Sequence, residues 1–287
     1  MMDYAEGTEV LEGNRVGFLL IHGLGGTPVE LKFLAQNLNK AGHTVVCPLL
    51  AGHGGTPAEF DHSRWTEWYV SAELALERMK RDCDVIITGG ISAGAIVALR
   101  LAAERKDLVQ GCAVYAPTFW PNGWAIPRVL HLFKLVTQKW FANLFTFTEK
   151  APYGIKDERL RNIVLDSLRA DGKPLADIFS RKGGTLLEFR WLAKDTKARL
   201  GGITQPVLAV HPRDDDQSDM ANTMLLQRKL GGRVDAMVLD DSYHMVVLDR
   251  QRQLVVDRTL AYATHLTAEL EAASELQRFR TAQGRTR

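Results

Sequence analysis

A serine stands among very small residues at Gly90-Ile91-Ser92-Ala93-Gly94, directly after the apolar run Val85-Ile86-Ile87. A hydroxyl becomes a useful nucleophile when a base takes its proton and donors receive the oxyanion formed on attack at a carbonyl. G-x-S-x-G between a strand and a helix is the pattern of a nucleophile elbow, a strained turn that lifts Oγ clear of a sheet. Residues two positions either side of such a serine approach one another, so Gly90 and Gly94 fit and Ala93 keeps the helix start uncrowded. The helix N-terminus behind the serine favours negative charge. Five letters alone also fit a plain glycine turn, so the chemistry depends on partners elsewhere.

Donors are offered by His22-Gly23-Leu24-Gly25-Gly26, which follows the first core strand. The Leu24 amide paired with that of Ala93 would form an oxyanion hole, each donor contributing about 3 kcal/mol. His22 and His53 read as structural histidines in turns, the loop of His53 bordering the pocket. Around a serine elbow the chain order is Ser, acid, His. His211 belongs to a strand and His265 to a late helix, whereas His244 opens the last loop and is the expected base. Its acid should leave the preceding strand end, where Asp214, Asp215 and Asp216 are adjacent. Three neighbouring carboxylates cannot all face one imidazole, and burying all three would be costly. Pattern alone does not choose among them.

The elements that would hold these groups alternate. Strands are expected at Val16–His22, Thr44–Cys47, Asp84–Thr88, Gly111–Tyr115, Pro206–His211 and Arg233–Leu239. Between them, helical periodicity appears at Pro28–Gly42, Arg64–Arg81 and Ala93–Glu104. Thr27, Pro28 and Glu30 read as a capping box opening the first helix. GGTP occurs at 25–28 and again at 54–57, as two turn-to-helix starts. Strand–helix alternation predicts an α/β fold, a mostly parallel sheet with helices on both faces and function at the carboxyl ends of the strands. After the fourth recognised core strand the rhythm breaks. Helices are expected at Ile126–Leu144, Glu158–Ala170 and Thr185–Leu200, a small all-helical cap inserted over the sheet edge. The resulting organisation is a core of residues 1–116 and 200–274, a cap at 117–199 and a loose polar tail at 275–287.

The stretches His22–Pro28 (HGLGGTP), Pro48–Thr56 (PLLAGHGGT), Gly90–Gly94, Val207–Asp216 (VLAVHPRDDD) and Asp241–Asp249 (DSYHMVVLD) together resemble bacterial carboxylesterases of the α/β-hydrolase superfamily. The similar group includes monoacylglycerol lipases and is often labelled serine aminopeptidase-like. With the connecting elements, the resemblance covers most of the chain outside the cap and tail. It implies the α/β-hydrolase fold and oxyanion amides at Leu24 and Ala93. Such proteins commonly carry H-G-x-D-D-x-V-x at the fifth strand's end, the acid three residues past the glycine. Pro212 stands at that glycine position, which puts the acid on Asp215. Gln217 and Ser218 replace the apolar pair that usually follows.

Bulk composition is that of an ordinary soluble globular protein: 46% apolar, 24% charged, and a formal net charge of +2 that provides no field for nucleic acid. No apolar run suits a membrane span, and the acidic opening lacks a signal-peptide core, so a cytoplasmic protein without stable membrane insertion is expected. Its three cysteines read as buried thiols rather than a disulfide framework. Phe119, Trp120 and Trp124 open an aromatic-rich cap and are the candidate substrate-binding residues. Together the readings predict a Ser92–His244–Asp215 serine hydrolase with no metal or cofactor, acting as a monomer or small homo-oligomer. Its expected partner is a small-molecule ester with a short or medium acyl chain, neutral because no charged anchor stands out. The same triad would serve a thioesterase or aminopeptidase-type hydrolase, and a non-catalytic ligand-binding protein is the remaining alternative.

Overall fold

The computed structural model describes residues 4–170 and 178–284. Strands β1 (Glu9–Leu11), β2 (Asn14–Ile21), β3 (His43–Cys47), β4 (Val85–Ile91) and β5 (Gly111–Tyr115) come first along the chain. A short antiparallel ribbon of β6 (Thr146–Thr148) and β7 (Ser180–Lys182) follows, and then β8 (Val207–Pro212) and β9 (Val234–Leu239). The main sheet runs β1-β3-β2-β4-β5-β8-β9 and is parallel except for β1, which pairs antiparallel with β3.

Apolar side chains on both faces of the strands explain why helices cover both sides. In β2, Leu19 and Ile21 enter one core while Phe18 and Leu20 enter the other. Helices α1 (Lys32–Lys40), α2 (Pro57–His62), α3 (Trp65–Met79) and α4 (Ala93–Glu104) lie before the interval. α5 (Lys139–Ala142), α6 (Glu158–Ala170) and α7 (Gly183–Arg199) lie within it, and α8 (Ala221–Lys229) and α9 (Arg252–Gly284) after it. α3, α4 and α7 contribute to the first core, α1 and α9 to the second. Trp68 is fully buried and donates its indole N–H to Ser63 Oγ at 2.8 Å.

Several expectations are corrected. The first helix begins as a 3₁₀ turn, Pro28–Leu31, and Thr27 makes no side-chain cap. Glu30 instead accepts the Gly23 amide at 2.9 Å. The second GGTP holds the true capping box, with Thr56 and Glu59 bonded reciprocally. Ile126–Leu144 is not one helix. A 3₁₀ segment spans Arg128–Leu135, extended backbone follows at Val136, and α5 is a single turn. Arg190 donates to the carbonyls of Phe133, Lys134 and Val136, satisfying groups that a continuing helix would have used. With the period changed, Leu130 and Phe133 bury against Leu187, but Trp140 and Leu144 are 70% exposed.

The interval is also not all helical, because β6 and β7 pair within it. Its last helix is shared: Leu187 packs in a small separate cluster with Leu130, Phe133 and Ala142, while Phe189, Leu192 and Ala193 pack in the main core. The expected loose tail from Glu275 is continuous with α9 through Gly284. Among the described residues, no helix is long and apolar enough to cross a membrane.

Candidate active site

β4 ends at Ile91 and α4 begins at Ala93, leaving Ser92 alone in the turn with φ 56° and ψ −117°. Positive φ is strained for a non-glycine residue, and the surrounding contacts hold it there. The Ser92 amide donates to the Tyr115 carbonyl at 2.9 Å. A Cβ on Gly94 would overlap the carbonyls of Ile21 and His22, and one on Gly90 would press on Ile21 and the Gly94 backbone. Here the small residues let the start of α4 settle onto the end of β2. Ser92 is partly accessible, and its Oγ donates to Thr118 Oγ1 at 3.4 Å.

His244 follows β9 and is almost fully buried. Its Nδ1 lies 2.9 Å and 3.0 Å from the two carboxylate oxygens of Asp215. With Nδ1–H donating there, Nε2 is the nitrogen left to accept a proton, and among the described residues it has no hydrogen-bond partner. Asp215 also accepts the amides of Gln217 and Ser218, each at 2.8 Å. Asp216 turns elsewhere, accepting the Gly154 amide at 2.9 Å and the His244 amide at 3.2 Å. Asp214 is exposed. Of the three adjacent carboxylates, Asp215 is therefore the one on the imidazole.

Burial alone would lower the His244 pKa, but the Asp215 carboxylate, helped by Asp216 and Glu149, more than reverses this and raises it. His211, buried next to Asp215, is pushed down by desolvation; its Nε2–H donates to the Ser218 carbonyl and Thr223 donates to its Nδ1. It acts as a support for the acid loop.

The Gly23–Gly26 loop reaches the elbow from β2, and a Cβ on Gly23 would stand 3.8 Å from Ser92 Cβ. The Ala93 amide, at the first position of α4, has no acceptor within its helix. His22 holds the loop's base: Nδ1–H donates to the Gly23 carbonyl at 2.9 Å, and Nε2 accepts the Leu50 amide at 3.2 Å. Burial takes its pKa down to about 4, consistent with a neutral ring. His53 packs on His22, Phe60 and Trp68, and burial lowers it to about 3.

The sequence pattern of the Alpha/beta hydrolase family matches residues 18–258. The chain belongs to the alpha/beta hydrolase family. Among curated relatives, it is 26% identical over 259 residues to a thermostable monoacylglycerol lipase of Bacillus sp., covering 88% of this chain and 91% of the relative. A carboxylesterase of Bacillus subtilis is 23% identical over 250 residues, covering 85% and 90%. Among solved structures, a soluble variant of monoglyceride lipase from Saccharomyces cerevisiae superposes with a TM-score of 0.75 at 14% identity, covering 90% and 91%.

In this alpha/beta hydrolase the three aromatics singled out from sequence have different surroundings. Phe119 is buried in the main core, with its amide held by Asn222 Oδ1 at 2.9 Å. Trp120 packs against the small cluster of Leu130, Phe133, Ala142 and Leu187, under Lys134. Trp124 is 60% exposed, packs edge-on against Tyr243 and donates its indole N–H to the Asp214 carbonyl at 3.1 Å.

Other residues around this alpha/beta hydrolase site take roles that the sequence did not indicate. Thr118 holds Ser92 Oγ, and Asp216 orients the backbone of His244. Fully buried Asp249 accepts the amides of Tyr243, Lys156, Asp157 and Arg250, fixing the histidine loop. It closes the DSYHMVVLD stretch, yet a carboxylate after an apolar run gives no hint of such a role. Glu149, beside β6, accepts the side-chain amide of Gln217, and burial pushes its pKa up to about 7.

Proposed function

We propose that this chain is a serine hydrolase of the lipase and esterase type, cleaving carboxylic esters with short or medium acyl chains through an acyl-enzyme. What supports the reading is the Asp215–His244 pair, which leaves Nε2 as a proton acceptor without a partner among the described residues, together with the strained, partly accessible Ser92 of the elbow. Ser92 Oγ leaves Thr118 for Nε2, gives up its proton and attacks the ester carbonyl; catalytic hydrogen bonds often tighten only once substrate is bound. Asp215 holds the Nδ1–H tautomer and stabilises the imidazolium. The Leu24 and Ala93 amides receive the oxyanion. His244 then protonates the leaving alcohol, and the same nitrogen activates the water that releases the acid. Residues 117–199 serve as the cap, with Phe119, Trp120 and Trp124 along its first segment near the substrate. The names of the two Bacillus relatives, a monoacylglycerol lipase and a carboxylesterase, support ester cleavage.

Intact-mass analysis and peptide mapping after fluorophosphonate treatment test the reading. One adduct on Ser92, absent from Ser92→Ala, is the expected result. Folded wild type that takes no adduct and turns over no ester overturns it.

A further inference from the structure

A second hollow lies where the α2–α3 turn faces α5, β7 and α7. Its volume is about 890 Å³, within the range of sites for small organic molecules. None of its lining residues belongs to the elbow, the glycine loop or the loops of Asp215 and His244. Trp65, Trp140 and Trp191 line it, and they come from three different helices, α3, α5 and α7. Trp140 is 70% exposed and meets Phe141 edge-on, with centroids 5.7 Å apart. A single open apolar side chain needs no explanation, but three indoles gathered around one hollow and rimmed by charge do.

The polar groups left over on its walls are mostly donors. Glu188 is buried, and both its oxygens are taken: Oε1 accepts Lys139 Nζ at 2.8 Å and Oε2 accepts the Trp65 amide at 3.2 Å. That ion pair holds one wall and leaves no net charge there. Asp61 accepts the Thr185 hydroxyl at 3.1 Å. Arg64 and Lys182 line the same hollow, are exposed, and have no ion-pair partner among the described residues. Nor do the three indole N–H groups meet an acceptor among those residues, whereas the N–H groups of Trp68 and Trp124 do. Two unpaired cations therefore stand against one carboxylate.

Flat apolar faces, unspent N–H donors and an excess of positive charge suit a ligand with a planar ring and acceptor oxygens. A cationic ligand, which indole faces alone would attract, is opposed by Arg64 and Lys182. We propose that this hollow is a binding site for a small aromatic anion. The ring lies on the tryptophan faces, and a carboxylate or comparable oxyanion is directed to Arg64 and Lys182. The site is separate from the Ser92 cleft, so the inference stands apart from the ester-hydrolase reading.

Isothermal titration calorimetry with naphthalene-2-carboxylate and its neutral counterpart, naphthalene-2-carboxamide, tests it. Wild type should bind the carboxylate roughly tenfold more tightly, the low end for hydrogen bonds to a charged group. Arg64→Gln combined with Lys182→Gln changes only exposed side chains and should bring the two affinities together. Trp140→Ala, at a position too open to matter for the core, should weaken both ligands roughly three- to tenfold, the range of an aromatic contact. Circular dichroism confirms that each variant is folded. Equal affinity of wild type for the two ligands overturns the proposal, and so does the absence of saturable binding. An affinity for the carboxylate that either the double substitution or Trp140→Ala leaves unchanged also overturns it, because the ligand would then sit elsewhere.

Discussion

Gln217 donates its side-chain amide to Glu149 and its backbone N–H to Asp215. One residue thus ties the carboxylate on His244 to the segment beside the β6–β7 ribbon. It stands where the resembling family usually has an apolar residue. The His244 environment therefore includes a carboxyl group delivered by the inserted interval, as well as the two from its own acid loop.

That arrangement sets the pH response. His244 sits above its ordinary value of 6.5 because burial, which would lower it, is outweighed by Asp215, Asp216 and Glu149. A general base works unprotonated, so kcat/KM should be lost as pH falls through a midpoint above 6.5. Glu149→Gln removes one of the charges that raise it, and the midpoint should move down. A pH–rate profile of the two proteins checks both statements, and an unmoved midpoint would disconnect Glu149 from the imidazole.

The three adjacent aspartates should separate cleanly. Asp215→Asn leaves the imidazole in the wrong tautomer and should lower kcat by about 10⁴. Exposed Asp214→Asn should change kcat by less than about twofold, near the ordinary effect of a surface substitution. Steady-state kinetics on one ester decides, and a large loss at Asp214 with none at Asp215 would reassign the acid.

Gly94→Ala places a methyl group against the carbonyls of Ile21 and His22, backbone at and just past the end of β2 that cannot yield easily. The expected cost is about 1–3 kcal/mol, seen as a lower urea midpoint together with reduced fluorophosphonate labelling. Stability equal to wild type would mean that α4 does not sit on β2 as described.

Asp249→Ala should strip four backbone amides of their acceptor in a fully buried site. Buried donors left unpaired cost about 1–3 kcal/mol each where water cannot reach them. A loss on the order of 3 kcal/mol in equilibrium unfolding is expected, with activity falling as the His244 loop loosens. A neutral Asp249→Ala variant would show that the loop is held by other contacts.

The sequence was most informative where constraint is local. Ser92 announces itself because an elbow needs small residues at fixed offsets, and His244 because a histidine opening the loop after the last strand has few other uses. Asp215 was not legible from pattern: its choice over Asp216 is made by the Gly154 amide, 62 residues away in the chain. The helix expected over Ile126–Leu144 failed for a similar reason, since Arg190 captures carbonyls 54 to 57 residues before it. Glu30 had the spacing of a capping residue and was drawn instead to Gly23.

The sheet order carries a consequence for biosynthesis. β4 and its flanking strands β2 and β5 pair through residues that all precede Ala116, whereas β8 and β9 begin at Val207 and Val234. As the chain emerges, the serine elbow can therefore be assembled long before its acid and base exist. The nascent protein would carry a shaped but unactivated hydroxyl until β8 docks on β5 and β9 closes beside it. In the proposed mechanism, hydrolytic competence would arrive only once β8 and β9 have docked.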